Sequence, residues 1–188
     1  MKKLLFSFAF ASAVFTSNAQ FAKGNMYASG LIGFSSSSQG DLKSSVMSVS
    51  PGVGYFVASN LSVGIELGVG SQSTEIASVK SDDQNSMTAG VHARYYFTPA
   101  NKFSFFGNLG VDYMSMNDKI DKVKTTGFGL SVSPAISYFV SDKLAMEASI
   151  GSIGYNSLKT DITGSKALNT LNVNFDLSSI SYGLVYKF

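Results

Sequence analysis

Cysteine and tryptophan are absent from this 188-residue chain, histidine and arginine occur once each, and there are only three prolines. Without cysteine there is neither a disulfide framework nor a thiolate metal site. One histidine, His92, cannot build a histidine-rich metal centre. No run of about 18 apolar residues occurs outside the extreme N-terminus, which disfavours a helical membrane protein. Charge is scarce too, with only 14% of residues Asp, Glu, Lys or Arg. What is plentiful is glycine (18), serine, phenylalanine (15) and tyrosine (9), a mixture suited to many strands and poorly suited to helices.

The first twenty residues, MKKLLFSFAFASAVFTSNAQ, read as a secretory leader. Lys2 and Lys3 form a basic start, Leu4 to Phe15 an apolar core, and Ser17-Asn18-Ala19 a small-residue cleavage site. The apolar core is too short for a bilayer that needs about 20 residues. The expectation is cleavage after Ala19, leaving residues 1–19 as signal peptide and 20–188 as one domain. The 14 basic residues exceed the 12 acidic ones only through Lys2 and Lys3. The mature chain is therefore charge-balanced, and a nucleic-acid partner is not supported.

Eight stretches then alternate apolar with small or polar residues at period two, the mark of strands with unlike faces. They lie at Asn25–Ser35, Ser45–Ala58, Leu61–Thr74, Ser86–Thr98, Phe103–Met116, Thr125–Val140, Leu144–Asn156 and Asn172–Phe188. Most reach the roughly 9–11 residues that a tilted strand needs to cross a bilayer. Short polar turns (Ser59-Asn60, Pro99–Lys102, Ser141–Lys143) alternate with longer charged connections around 36–44, 75–85, 117–124 and 157–171. Short turns at one end and long loops at the other fit a transmembrane barrel with both termini on the short-turn, periplasmic side.

Face assignment sharpens this. Val53, Tyr55 and Val57 share one face of the second strand, Gly52 and Gly54 the other; Val63, Ile65 and Leu67 oppose Gly64, Glu66 and Gly68 in the third. Eight strands enclose too little volume for all the bulky side chains, so glycine and serine are expected inside and large apolar groups outside, toward lipid. Tyr55, Tyr95, Phe97, Phe103, Phe105, Tyr138, Tyr186 and Phe188 would form an interfacial girdle, with Phe34, Tyr113 and Phe128 at the opposite rim. The alternation slips at Ile153/Tyr155 and near Ser178-Ser179, where bulges, or barrel wall rising beyond the lipid, are expected. The face of the first strand is ambiguous, because Tyr27/Leu31 compete with Met26/Ile32/Phe34.

The last strand ends in Phe188 with Tyr182, Leu184 and Tyr186 at alternate positions before it. This resembles the C-terminal signal by which outer-membrane barrels are recognised by the barrel-assembly machinery. The mature chain as a whole is similar to the small OmpX-like and OmpA-barrel-like outer-membrane proteins. The resemblance implies an all-β, eight-stranded antiparallel outer-membrane barrel in a Gram-negative-type envelope, with lipid and the assembly machinery as partners. It does not settle function, since relatives include adhesins, stress or virulence factors, and enzymes.

Strand parity places Glu66, His92, Arg94, Asp112 and Glu147 inside. A Glu66–Arg94–Glu147 network is expected, since a guanidinium fork suits pairing with one or two carboxylates. A gated ion path is the sharper reading of the same residues. Catalysis by His92 would need a serine and an acid to converge on it, and a lipid-processing site would face lipid, whereas His92 faces inward. Gly52-x-Gly54 and Gly68-x-Gly70 lack the strand–loop–helix context of a phosphate loop. Asp82-Asp83 and Asp118/Asp121 lack calcium-loop spacing and are interleaved with Lys80, Lys119 and Lys122. No cofactor, metal or catalytic residue is assigned. The functional expectation is a non-enzymatic barrel with a filled lumen, structural or binding an extracellular or envelope partner through four external loops; a lipid-modifying enzyme and a narrow channel are the alternatives.

Overall fold

A computed structural model describes residues 21–175 and 180–188. The expected leader and the slip near Ser178-Ser179 lie outside the described residues. Ten strand segments follow one another: β1 (Met26–Gln39), β2 (Leu42–Ala58), β3 (Leu61–Ile76), β4 (Val79–Tyr96), β5 (Phe103–Asp118), β6 (Lys124–Phe139), β7 (Leu144–Ile150), β8 (Ser152–Thr160), β9 (Leu168–Asn174) and β10 (Ile180–Lys187). Every pairing is antiparallel.

The first six are consecutive neighbours. β6 then pairs with β7 over Ala135–Phe139 and with β8 over Thr125–Val132, so β7 and β8 together make one wall strand. β9 pairs with β8 and β10 with β7, which supplies the eighth. β10 returns to β1 from Tyr27↔Lys187 to Ile32↔Tyr182 and closes the ring. Closure leaves that part of the wall without an unpaired edge, as a strand assembly in hydrocarbon requires.

Gly151 separates β7 from β8 with φ +72°, and explains the slip read at Ile153/Tyr155. Before it, Ala145 and Glu147 point inward and Met146 outward; after it, Ile153 and Tyr155 point outward. One residue in the left-handed region shifts the alternation by one, and glycine adopts that region without a Cβ penalty.

Met26, Ile32 and Phe34 are exposed on the outer surface while Tyr27 and Ser29 are buried, which resolves the face of β1. The outward positions from Val63 to Val69, Met87 to Tyr95, Phe105 to Tyr113 and Phe128 to Tyr138 form a continuous apolar belt. In most of these strands the belt spans about 9–11 residues, the height of a hydrocarbon core. Ring pairs Tyr95–Phe97, Phe103–Phe105 and Tyr186–Phe188, with centroids 5.0–5.4 Å apart, rim its short-turn edge, and Tyr113–Phe128 at 5.3 Å its opposite edge.

Three of the four long connections differ from expectation, one of them because β8 and β9 take 157–160 and 168–171 into strand. The ladders of β1–β2 and β3–β4 run on to Gln39↔Leu42 and Ile76↔Val79, so most of 36–44 and 75–85 is strand rather than loop. Gly40 (φ 58°) makes one turn; Ala77 (φ 49°) and Ser78 (φ 66°) make the other. Alternating serines and polar residues satisfy a two-sided polar ladder standing in water, which a period-two search for apolar faces misses. Residues 119–123 and 161–167 lie between strands.

Candidate functional site

The lumen is built from inward positions of the wall, and its short-turn end is not lined by glycine and serine as expected. Phe56, Tyr96, Phe106 and Phe139 all turn inward there and are buried. Each alternates with an outward aromatic or apolar neighbour, so parity alone gave them no distinction from the girdle. Phe21 completes the group. It lies ahead of β1 with no exposed surface, and its ring stands 4.6 Å from Phe56, 4.3 Å from Tyr96 and 4.9 Å from Phe139. Its backbone N–H donates to the Pro99 carbonyl at 3.2 Å, fixing the segment across the mouth. Only its apolar side chain hinted at this in sequence. These rings make a hydrophobic stopper that fills the narrow end.

Directly above lies the charged layer. Arg94 Nη1 donates to Glu147 Oε2 at 3.1 Å, and both side chains are only 3% exposed. The guanidinium also stands 5.3 Å from the Tyr27 ring centre and 5.6 Å from that of Phe106. A delocalised, weakly hydrated cation tolerates that aromatic cradle better than an ammonium would. Glu66 lines the same cavity without a direct ion pair to Arg94 among the described residues, so the direct pair in the expected Glu66–Arg94–Glu147 group is Arg94–Glu147. β4 supplies the guanidinium from a site opposite Ser62 and Asn108, while β7 brings Glu147 opposite Ser137, across the lumen.

His92 is 7% exposed. Its Nε2 lies 3.0 Å from the Tyr27 hydroxyl, which in turn lies 3.2 Å from Ser62 Oγ. This Ser62–Tyr27–His92 string is sealed inside the wall, away from lipid. Two glycines make the string possible: a Cβ on Gly54 would collide with the Tyr27 ring, and one on Gly64 would come within 2.6 Å of His92 Nε2. Asp112 similarly lies over Gly90, where a Cβ would meet its carboxylate.

Glu66, His92, Arg94, Asp112 and Glu147 all line one cavity of about 120 Å³, together with Asn108, Ser131, Ser133 and Ser149. The structure thus brings all five sequence-assigned luminal residues to one place. Among the described residues no cluster of three or more His, Asp or Glu has metal-holding geometry. Tyr182, Leu184, Tyr186 and Phe188 lie together on the outer surface of β10 and its end, each exposed.

At the opposite end, Asp83 ties two hairpins together. Lys119 Nζ lies 3.1 Å from Asp83 Oδ1, Lys80 Nζ lies 3.2 Å from Oδ2, and the Lys119 amide donates to the Asp83 carbonyl at 2.9 Å. The hydrogen bond from Lys119, then that from Lys80, holds the Asp83 carboxyl below the ordinary aspartate range.

A sequence model of the outer membrane protein beta-barrel domain matches residues 5–188. No curated protein matches in sequence. Among solved structures, the chain is similar to the outer membrane protein OprG of Pseudomonas aeruginosa (17% identity, TM-score 0.57, covering 91% of this chain and 99% of that one). It is also similar to Neisserial surface protein A (17% identity, TM-score 0.55, 87% and 96% covered). The N-terminal β-barrel domain of Pseudomonas aeruginosa OprF is a third, at 9% identity and TM-score 0.52, with 88% and 98% covered. At such identities the likeness carries the fold alone.

Proposed function

The chain belongs to the outer membrane protein β-barrel family, and on that footing we propose that it is a non-enzymatic surface protein acting through the hairpins at its long end. One observation carries this reading: the two ends of the barrel are unequal. At the short-turn end the wall stops near its aromatic rim and the lumen is stoppered. At the other end β1–β4 run well beyond the apolar belt into polar hairpins, and the connections 119–123 and 161–167 lie beside them. An even number of wall strands brings both termini to the short-turn end, which supports reading that end as periplasmic and the hairpins as external. Projecting polar hairpins are where a barrel of this size has surface to offer a partner or the neighbouring envelope.

The inward, sealed position of His92 supports this reading over a lipid-modifying enzyme, whose acid–base group would meet lipid. The stopper supports it over a steady channel. Tyr182, Leu184, Tyr186 and Phe188, exposed along the last strand, are suited to recognition by the assembly machinery.

The test is a variant in which 39–42, 76–79, 119–123 and 161–167 are replaced by short Gly/Ser turns. Its band should still shift on heating in a detergent gel of the outer-membrane fraction. Cells carrying it should lose surface binding to extracellular protein or gain detergent sensitivity. If the barrel assembles and both properties equal those of the parent, the hairpins are not the functional part and the proposal fails.

A further inference from the structure

The luminal cavity is unbalanced in charge and in hydrogen bonding. Three carboxylates (Glu66, Asp112, Glu147) face one guanidinium, and Arg94 is already committed to Glu147. Glu66 and Asp112 take part in no ion pair among the described residues. The buried Asn108 Oδ1 and His92 Nδ1 find no hydrogen-bond partner among them either. His92 as a residue is more than nine-tenths buried and its Nε2 edge is turned to Tyr27 and Gly64. Nδ1 is therefore the only polar atom that the ring has left to offer the cavity.

Buried polar atoms without partners are rare in folded proteins and point to a group that satisfies them. A group that carries positive charge and N–H donors would satisfy both these acceptors and the two carboxylates. We propose that the lumen is a blind-ended binding site for a small N–H-bearing cation, ammonium or a primary alkylammonium, held by Glu66 and Asp112 with Asn108 and His92 accepting its hydrogen bonds. A cavity of about 120 Å³ admits such a head with little water beside it. Entry would be from the long-hairpin end, where the small residues Ser50 and Gly68, and Ser48 and Gly70, lie against one another. The Arg94–Glu147 pair and the rings below it form the floor, so the cation is retained rather than conducted.

The chemistry also fixes a tautomer. For Nδ1 to accept, the imidazole proton must sit on Nε2 and be donated to the Tyr27 hydroxyl, which then donates to Ser62. His92 is the only histidine, so its ring nitrogens report on the cavity without competing signals.

The experiment is ¹⁵N NMR of the imidazole in untagged protein in detergent micelles, titrated with methylammonium chloride at constant ionic strength. A saturable shift of the Nδ1 signal is expected with methylammonium and not with tetramethylammonium or potassium, which carry no N–H. Glu66→Gln and Asp112→Asn, which keep side-chain volume and should keep the heat-shifted gel band, should each weaken the titration about tenfold, as loss of one charge-assisted hydrogen bond does. No saturable shift in the parent overturns the site. Equal response to tetramethylammonium or potassium overturns the N–H cation as its ligand. Unchanged affinity in both variants overturns the carboxylates as its holders.

Discussion

Glu147→Gln removes one charge from a pair that has almost no contact with water. Both partners are 3% exposed, and the guanidinium is wedged between the rings of Tyr27 and Phe106. The substitution keeps volume and a hydrogen-bond acceptor, but it leaves the Arg94 cation buried without its counter-charge. Breaking a buried pair from one side costs about 3–5 kcal/mol, because desolvation is no longer offset. The aromatic cradle retains about 1–2 kcal/mol at desolvated sites, so the lower half of that range is expected here. The double variant Arg94→Met/Glu147→Met removes both charges and fills similar space. It should fold within about 2 kcal/mol of the parent, since an apolar replacement of a buried pair is often neutral or better. The two results together separate pairing from packing. Urea unfolding in micelles, followed by the heat-shifted gel band, measures both. A Glu147→Gln variant within about 0.5 kcal/mol of the parent, or a double variant less stable than it, would refute the reasoning.

Gly54→Ala should destabilise the barrel by about 1–3 kcal/mol, as overpacking does, because the Tyr27 ring occupies the space a Cβ needs; Tyr27→Ala in the same chain should remove most of that effect, and additive losses in urea unfolding would count against the contact. Phe21→Ala takes one ring out of the stopper and should cost about 3–5 kcal/mol and speed proteolysis from the short-turn end; a parent-like protease half-life and unfolding curve would mean that the segment only rests on the mouth. The Asp83 clasp has a defined pH window. A carboxyl held below the ordinary aspartate value by Lys119 and Lys80 contributes fully above that value, and its contribution is lost only as pH falls through the lowered one. Amide exchange at Lys119 should therefore stay protected from neutral pH down past the ordinary aspartate range, and should weaken in high salt; protection lost already near pH 6 would sink the assignment.

The strand grammar was legible because lipid imposes a strict rule on one face. Val63, Ile65, Leu67 and Val69 could be read as outward from sequence since nothing else in an eight-strand barrel has room for them. Where both faces meet water the rule lapses, and that is why the upper ladders of β1–β2 and β3–β4 read as loop. Where the inside is also apolar it lapses differently. Phe56 between Tyr55 and Val57, and Tyr96 between Tyr95 and Phe97, present two bulky neighbours on opposite faces, and only the shape of the lumen distinguishes them. The luminal charges were easier, since Glu66, Arg94 and Glu147 each interrupt a regular strand with a residue that lipid would reject. Parity could place all three inside, but not say which carboxylate Arg94 pairs with directly; that depends on the register that sets Glu147 of β7 opposite Ser137.

The lumen is layered, and each layer is explained by what the layer beside it forbids. The Phe21–Phe56–Tyr96–Phe139 stopper excludes water from the narrow end, so a charge placed above it must bring its own partner. Arg94 and Glu147 meet that demand with one another, and Tyr27 and Phe106 flank the cation where a hydration shell would otherwise stand. One step higher, Tyr27 is held by its hydroxyl to Ser62 and His92, and Gly54 and Gly64 give up their side chains to admit the two rings. Glu66 and Asp112 belong to the next layer, where they line the cavity without a direct ion pair among the described residues. If that space were merely water-filled, replacing both carboxylates with amides would relieve repulsion and stabilise the barrel, whatever cation is present. If it holds a cation, the same double variant should be more stable than the parent in tetramethylammonium buffer and lose that advantage in methylammonium, because a ligand stabilises only the form that binds it. The dependence of the unfolding midpoint on the buffer cation, with parent and double variant crossing in order, distinguishes a packed core with spare charge from a site.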